Sequence, residues 1–359
     1  CTASTTPTQG QIMKTRPLKN YGASVGLEAY DIDWNSQEEI LELGRLAASQ
    51  CVVVVNEHIS TEQLYKTMIN WGDVSHPIIT DYVSRKLLTG SHWRELTLNL
   101  RYITSEVPEL KSVALVSYLK KEKDRPRGLF SNGELDWHSD QCAIDDGQRV
   151  IGLQSISDTA NSQTQFLCTH DAYESLSSDM RSMIKELVCK HRWYEGLMAP
   201  GLNRAQSMML RYNMVPIDGL ETNLYSETAS GLTGIKIPSH TFDGFVGMSR
   251  EESIKLLDEI KSVVYNDRYV HTQDWQDGQI VFMDQEITLH KRPTNVKDGD
   301  RRTMARSITY VNYLYPDSAY AIRRSTYKYQ GSVYTEEDFV KLVDQDRRTQ
   351  YEQELEFAE

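Results

Sequence analysis

The 359-residue chain lacks any apolar run approaching the ~20 residues that a membrane-spanning helix requires. Its longest, Cys51-Val52-Val53-Val54-Val55, is short and β-branched and reads as a buried strand. Basic charge is in deficit: 39 Lys and Arg stand against 51 Asp and Glu, a formal net charge of −12. That balance argues against nucleic acid or an anionic membrane as a partner and leaves a small molecule as the expected one. Cysteine is scarce. The five (Cys1, Cys51, Cys142, Cys168 and Cys189) are odd in number and have no paired metal-type spacing, which favours a reducing compartment. No repeat or low-complexity linker divides the chain, so a single domain over residues 1–359 is expected. Acidic residues are missing before Glu28, and Cys1 to Pro7 is small and hydroxyl-rich. This fits a flexible N-terminus over residues 1–12, with the remnant of an organelle-targeting segment as the alternative. The expected location is accordingly the cytoplasm, or an organelle lumen on that alternative.

What is present is a small set of helix signals among many strand-like runs. Gln37 to Ala48 carries a broad apolar face entered through Asn35 or Ser36. Ser60-Thr61-Glu62-Gln63 and Ser249-Arg250-Glu251-Glu252 both resemble capping boxes, the first opening a helix towards Trp71 and the second leading into Ile254, Leu257 and Ile260. Asp171 to Cys189 reads as one or two helices, and the charged tail over residues 335–359 as another. Strands are expected at Val150 to Ile156, Thr164 to Leu167, Ile235 to Ile237, Ile280 to Met283 and Thr303 to Tyr313. Strands outnumber helices without regular alternation. The fold class is therefore α+β, mainly β: a double-stranded β-helix (jelly roll, cupin-like) flanked by helices.

The chemistry concentrates in two places. Leu135-Asp136-Trp137-His138-Ser139-Asp140 holds a His and an Asp two residues apart, which on a strand share a face. A second histidine, His290, follows the strand-like Gln279 to Asp284 and would complete a two-histidine, one-carboxylate set. Such a set binds one side of a metal and leaves the opposite positions open, as in non-haem Fe(II) oxygenases. Beyond a polar loop, Arg302, Met304, Arg306, Ile308 and Tyr310 alternate along a strand. Guanidinium groups among core-type side chains are costly to desolvate unless an anion or a buried acid meets them, and their fork suits a carboxylate. The histidines at 58, 92, 191, 240 and 271 lack a partner at ligand spacing and read as structural or exposed, and His170 as a polar surface residue. Cys142 either lines the pocket or is an inert buried thiol.

These motifs, in this order, resemble the taurine dioxygenase (TauD/TfdA) family of Fe(II)- and 2-oxoglutarate-dependent oxygenases. Gly22 to Leu27 is similar to the family's opening strand, Trp71-Gly72-Asp73-Val74-Ser75-His76-Pro77 to its His-Pro segment, and Trp137 to Asp140 to its proximal metal motif. Gly244 to Ser253 and Asp277 to His290, with Arg302, are similar to its late helix and distal motif. The resemblance implies that His138, Asp140 and His290 bind Fe(II), and that Arg302 and Thr164 hold the distal carboxylate of 2-oxoglutarate. Here Ala160-Asn161-Ser162-Gln163-Thr164 departs from the usual Gly-Gly-Asp-Thr. Arg306 and His76 match positions that contact an anionic substrate group in taurine-type members, and Glu134 would share the parity of His138 and could hold an ammonium group.

The implied activity couples O2 and decarboxylation of 2-oxoglutarate to oxidation of a C–H bond, by hydroxylation, desaturation or ring closure. The retained carboxylate at Asp140 argues against halogenation. A small polar, amino-acid-derived substrate is expected, and homo-oligomerisation stays open. Two other readings use the same ligands: a zinc hydrolase, and a sensing or binding jelly roll without turnover. Arg302 discriminates, since a hydrolase has no evident need for a buried keto-acid clamp.

Overall fold

The computed structural model describes residues 13–19, 22–74, 113–117, 135–192, 220–239, 241–293 and 302–326. The termini over 1–12 and 335–359, and the candidates His76 and Glu134, lie outside the described residues.

Among the described residues two sheets form the jelly roll. The larger has seven strands in the order β1-β2-β3-β14-β6-β16-β4, built from β1 (Lys14–Pro17), β2 (Leu27–Tyr30), β3 (Val52–Val55), β4 (Ala114–Ser117), β6 (Arg149–Ser157), β14 (Ile280–Asp284) and β16 (Thr303–Tyr310). The smaller has four in the order β13-β7-β15-β5: β5 (Leu135–His138), β7 (Gln163–Cys168), β13 (Val270–Asp274) and β15 (Thr288–Arg292). Within both sheets every pair is antiparallel except β2 with β3. The remaining strands, β8 (Val188–His191), β9 (Leu220–Asn223), β10 (Tyr225–Glu227), β11 (Thr233–Ile235) and β12 (Phe242–Phe245), make a three-stranded sheet β12-β8-β9 and the hairpin β10-β11.

The unbroken valine run of β3 follows from burial on both faces. Val52 and Val54 join Ile151, Leu153, Met304 and Ile308 against Phe166 of the opposite sheet. Val53 and Val55 turn outward with Val150, Ile280 and Phe282 towards the helices. Those helices are α1 (Gln37–Ser49), capped by Ser36, and α2 (Thr61–Met68), capped by Ser60. Trp71, fully buried, locks them to the sheet. Its indole N–H donates to the Ile40 carbonyl at 2.8 Å, its ring meets Phe282 edge-on at 5.1 Å, and Gly44 lies flat beneath it.

Around the smaller sheet pack α3 (Thr169–Glu174), α4 (Ser178–Glu186) and α5 (Arg250–Val264), and α6 (Ala319–Thr326) follows β16. The expected capping box at Ser249 and Glu252 is formed in both directions. The helical reading of Asp171 to Cys189 resolves into α3 and α4, but Cys189 itself lies in β8. Gly22 to Gly26 is irregular, and the first strand of that region begins only at Leu27.

The cysteine reading needs correction. Cys51, just before β3, and Cys168, at the end of β7, form a disulfide across 117 residues that joins the two sheets. Sequence spacing cannot reveal such a pair, because it is the sandwich that brings the two strands together. Cys142 and Cys189 are free and buried.

Candidate active site

β5 and β15 are neighbours, and their register sets His138 opposite His290. Facing residues on paired strands project to one side, so the two imidazoles stand with centroids 4.1 Å apart. His138 Nδ1 lies 2.6 Å from the Asp136 carbonyl oxygen. An acceptor there makes Nδ1 the protonated nitrogen and leaves the Nε2 lone pair facing the site.

Asp140 arrives differently from the strand parity expected of it. β5 ends at His138, and Asp140 sits in the turn beyond, followed by Gln141 in the left-handed region at φ 58°. The turn nonetheless brings Asp140 Oδ1 to 3.8 Å from His138 Nε2 and 4.0 Å from His290 Nε2. The three donor atoms lie close enough together to surround one ion.

Electrostatics favours the ligand form of Asp140 and His290. Burial alone would raise the Asp140 pKa. The Arg306 guanidinium, 2.5 Å from Oδ2, together with His290, His138 and Arg149, outweighs burial and holds it at about 2. Burial, and then the neighbouring His138, depress His290 to about 3. At neutral pH the site therefore offers an ionised carboxylate and a neutral imidazole, the protonation states metal binding requires. The donor set fits a divalent transition metal, and two nitrogens with one oxygen on one side suit Fe(II).

The same cavity is lined by Thr164, Arg302 and Arg306 beside the three ligands, with Leu153 and Met283 as apolar wall. Six of the sequence candidates thus converge. Arg302, 3 % exposed, directs Nε and Nη2 onto the Met304 sulfur at 3.0 and 2.5 Å. Met304, Arg306 and Ile308 share a face of β16 as expected, with buried Thr303, Ala305 and Ser307 on the other, while Arg302 stands just before the strand and joins that face through its contact with Met304. Thr164 is buried on β7, where its hydroxyl oxygen accepts from the Trp275 indole at 2.9 Å and its own proton stays available to an anion.

Sequence reasoning passed over Lys291 and Arg292, which also line the cavity. The period-2 rule from His290 along β15 would have found Arg292. Cys142 is not among the lining residues and lies beside the Ser239 and Thr241 hydroxyls. His191 is structural, fully buried between the hydroxyls of Thr241 and Thr222. His170 bonds the Thr233 carbonyl.

The double sheet is a cupin-like fold, and its donor set could hold one metal ion. Residues 14–308 match the Taurine catabolism dioxygenase TauD, TfdA family, and the chain belongs to it. It is accordingly a 2-oxoglutarate-dependent non-haem iron dioxygenase. Among relatives, pentalenolactone F synthase of Streptomyces arenae is 23% identical over 211 residues, covering 56% of this chain and 70% of that protein. An alkylsulfatase of Acinetobacter baylyi is 25% identical over 192 residues, covering 52% and 59%. Among solved structures, a taurine dioxygenase from Burkholderia xenovorans superposes with a TM-score of 0.58 at 18% identity, covering 83% of this chain and 89% of that one. AAD-2 in complex with Mn(II) and N-oxalylglycine gives 0.56 at 16%, covering 83% and 97%. At these identities the structures speak for the fold.

Proposed function

We propose that this chain oxidises an unactivated C–H bond of a small polar, amino-acid-derived metabolite, with O2 and 2-oxoglutarate consumed and succinate and CO2 released. The observation that carries this reading is the shared cavity: His138, Asp140 and His290 line it together with Arg302 and Thr164. Bound Fe(II) would supply the activation of O2 that drives C–H cleavage. The protein's part is to place the reactants. His138 and His290 offer ring nitrogens, Asp140 a carboxylate kept ionised, and Arg302 with Thr164 a bidentate cation and a hydroxyl for the distal carboxylate of the keto acid. The Leu153 and Met283 wall helps to exclude water.

Arg306, His76 and Glu134 are the proposed substrate contacts, the arginine for an anionic group and the glutamate for an ammonium. Hydroxylation, desaturation and ring closure are all compatible with a retained Asp140. That one relative is named for a natural-product synthase supports a role in natural product biosynthesis. Among the described residues no helix is long and apolar enough to cross a membrane. The Cys51–Cys168 disulfide weighs against the reducing cytoplasm expected from the cysteine count and favours the alternative, an organelle lumen.

The test is succinate formation from 2-oxoglutarate under aerobic Fe(II) conditions, with amines and amino acids screened for stimulation. His138→Ala should abolish turnover. Arg302→Ala should raise the KM for 2-oxoglutarate by about 10–100-fold, the worth of losing a charge-assisted bidentate contact of roughly 1.5–3 kcal/mol. Unchanged keto-acid affinity in that variant would refute the clamp, and turnover confined to neutral apolar compounds would refute the substrate class.

A further inference from the structure

The two histidines of the site are set by strand register, but no ladder sets the carboxylate. Asp140 lies past the end of β5, at the edge of the smaller sheet, in a turn that continues through Gln141 at positive φ. Something other than the sheet must hold its backbone.

The structure assigns that task to Gln285, a positioning residue for the metal's carboxylate ligand. The inference rests on the metal site proposed above. The Asp140 backbone N–H donates to Gln285 Oε1 at 2.8 Å, and Gln285 is 1 % exposed. Gln285 occupies the turn between β14 and β15, five residues ahead of His290, so one short segment presents a histidine to the site and fixes the aspartate opposite.

That turn is itself rigidly tied. Asp284 Oδ1 accepts from the backbone N–H groups of Glu286 and Ile287 at 2.8 and 3.0 Å, and its Oδ2 from the Gln148 amide at 2.6 Å. The Gln285 N–H donates to the Arg149 carbonyl at 2.9 Å. Glu286 is gripped by the Lys236 ammonium at 3.0 and 3.1 Å and by the Ser226 hydroxyl at 2.7 Å. Arg149 meanwhile holds the far side of the Asp140 turn through the carbonyls of Gln141 and Ile144. The Gln285 amide is the strut between these two braced segments. It needs an acceptor at Oε1, and a neutral one adds no charge beside Asp140.

Carboxylate ligands are oriented by outer contacts whose loss typically weakens metal binding by about 10–100-fold. The discriminating measurement is Mn(II) binding by the metal-free full-length chain, read as free Mn(II) by electron paramagnetic resonance. Gln285→Met keeps the volume and removes the acceptor, and Ser226→Ala loosens the same turn without touching Asp140. Gln285→Met should weaken Mn(II) at least tenfold while the metal-free protein stays folded at the titration temperature, and Ser226→Ala should stay within about threefold of the parent. Parent-like affinity in Gln285→Met, or equal loss in Ser226→Ala, would overturn the inference. A parent chain that takes up no Mn(II) would overturn the metal site itself, a distinct result.

Discussion

Replacing Arg306 by Met should damage the metal-free protein far more than the metal-loaded one. The side chains of Arg306 and Asp140 are 16 % and 10 % exposed, and Nη1 sits 2.5 Å from Oδ2. Without this cation, Asp140 is a carboxylate whose burial pushes its pKa up, with only His290, His138 and Arg149 to oppose it. With Arg306 present the folded pKa is about 2, below the ordinary 3.8. A depressed carboxyl pKa stabilises the fold above the unfolded value, and that contribution is lost as pH falls through about 2. At 1.36 kcal/mol per pKa unit it amounts to roughly 2 kcal/mol at neutral pH. Removal of Arg306 forfeits this contribution and leaves a buried charge to be desolvated unpaired. The expected total is about 3–5 kcal/mol, the usual result of breaking one side of a buried pair. For a chain of this size that lowers the unfolding temperature by about 4–7 °C.

A divalent ion bound by Asp140 Oδ1 would supply the missing positive charge. Thermal unfolding of parent and Arg306→Met, each after chelation and again with saturating Mn(II), therefore reads a coupling. The variant should lose most of its stability in the metal-free arm and recover at least half of the loss on loading. An equal loss in both arms would show that Arg306 acts through packing instead of through the Asp140 charge. No loss in the metal-free arm would refute the buried-pair account altogether.

His191 gives a second pH dependence of known sign. Burial depresses its pKa to about 4, and both ring nitrogens are engaged by threonine hydroxyls. Between pH 6.5 and about 4 the unfolded chain binds the proton and the folded one does not, so stability falls as pH falls, by about 3 kcal/mol across the window. Denaturant unfolding from pH 7 to 4 should show this slope, and His191→Gln should flatten it. Gly44→Ala places a methyl 2.5 Å from the Trp71 indole. Overpacking of that kind should destabilise by about 1–3 kcal/mol in urea unfolding, and an unchanged midpoint would show that α1 can shift.

Elements were legible in the sequence wherever one local cause determined them. Ser36, Ser60 and Ser249 mark helix starts because a hydroxyl must satisfy the first backbone N–H groups, and each does so here. The valines of β3 declared a strand buried on both faces. The short strands β8, β9 and β13 escaped notice. Val188-Cys189-Lys190-His191 and Val270 to Asp274 alternate only weakly, and long-range pairing makes them strands. The Cys51–Cys168 bond is hidden for the same reason, since it is a property of how the two sheets stack.

At the site, residue types were more legible than their supports. His138, Asp140, His290 and Arg302 could be read because metal and keto-acid chemistry restrict the side chains that serve. Gln285 carries no such restriction: a glutamine after a strand has many uses, and only the 2.8 Å contact to the Asp140 N–H distinguishes this one. The error over Asp140 has the same root. His-X-Asp on a strand would share a face automatically, so parity made an outside support unnecessary. Once β5 stops at His138, the carboxylate must be held from elsewhere. Gln285 at its backbone and Arg306 at its charge are two restraints the structure supplies, beside Arg149 on the turn that follows. They act on different atoms, so their losses should separate: Gln285→Met in metal affinity with the metal-free fold intact, Arg306→Met in metal-free stability recovered on loading.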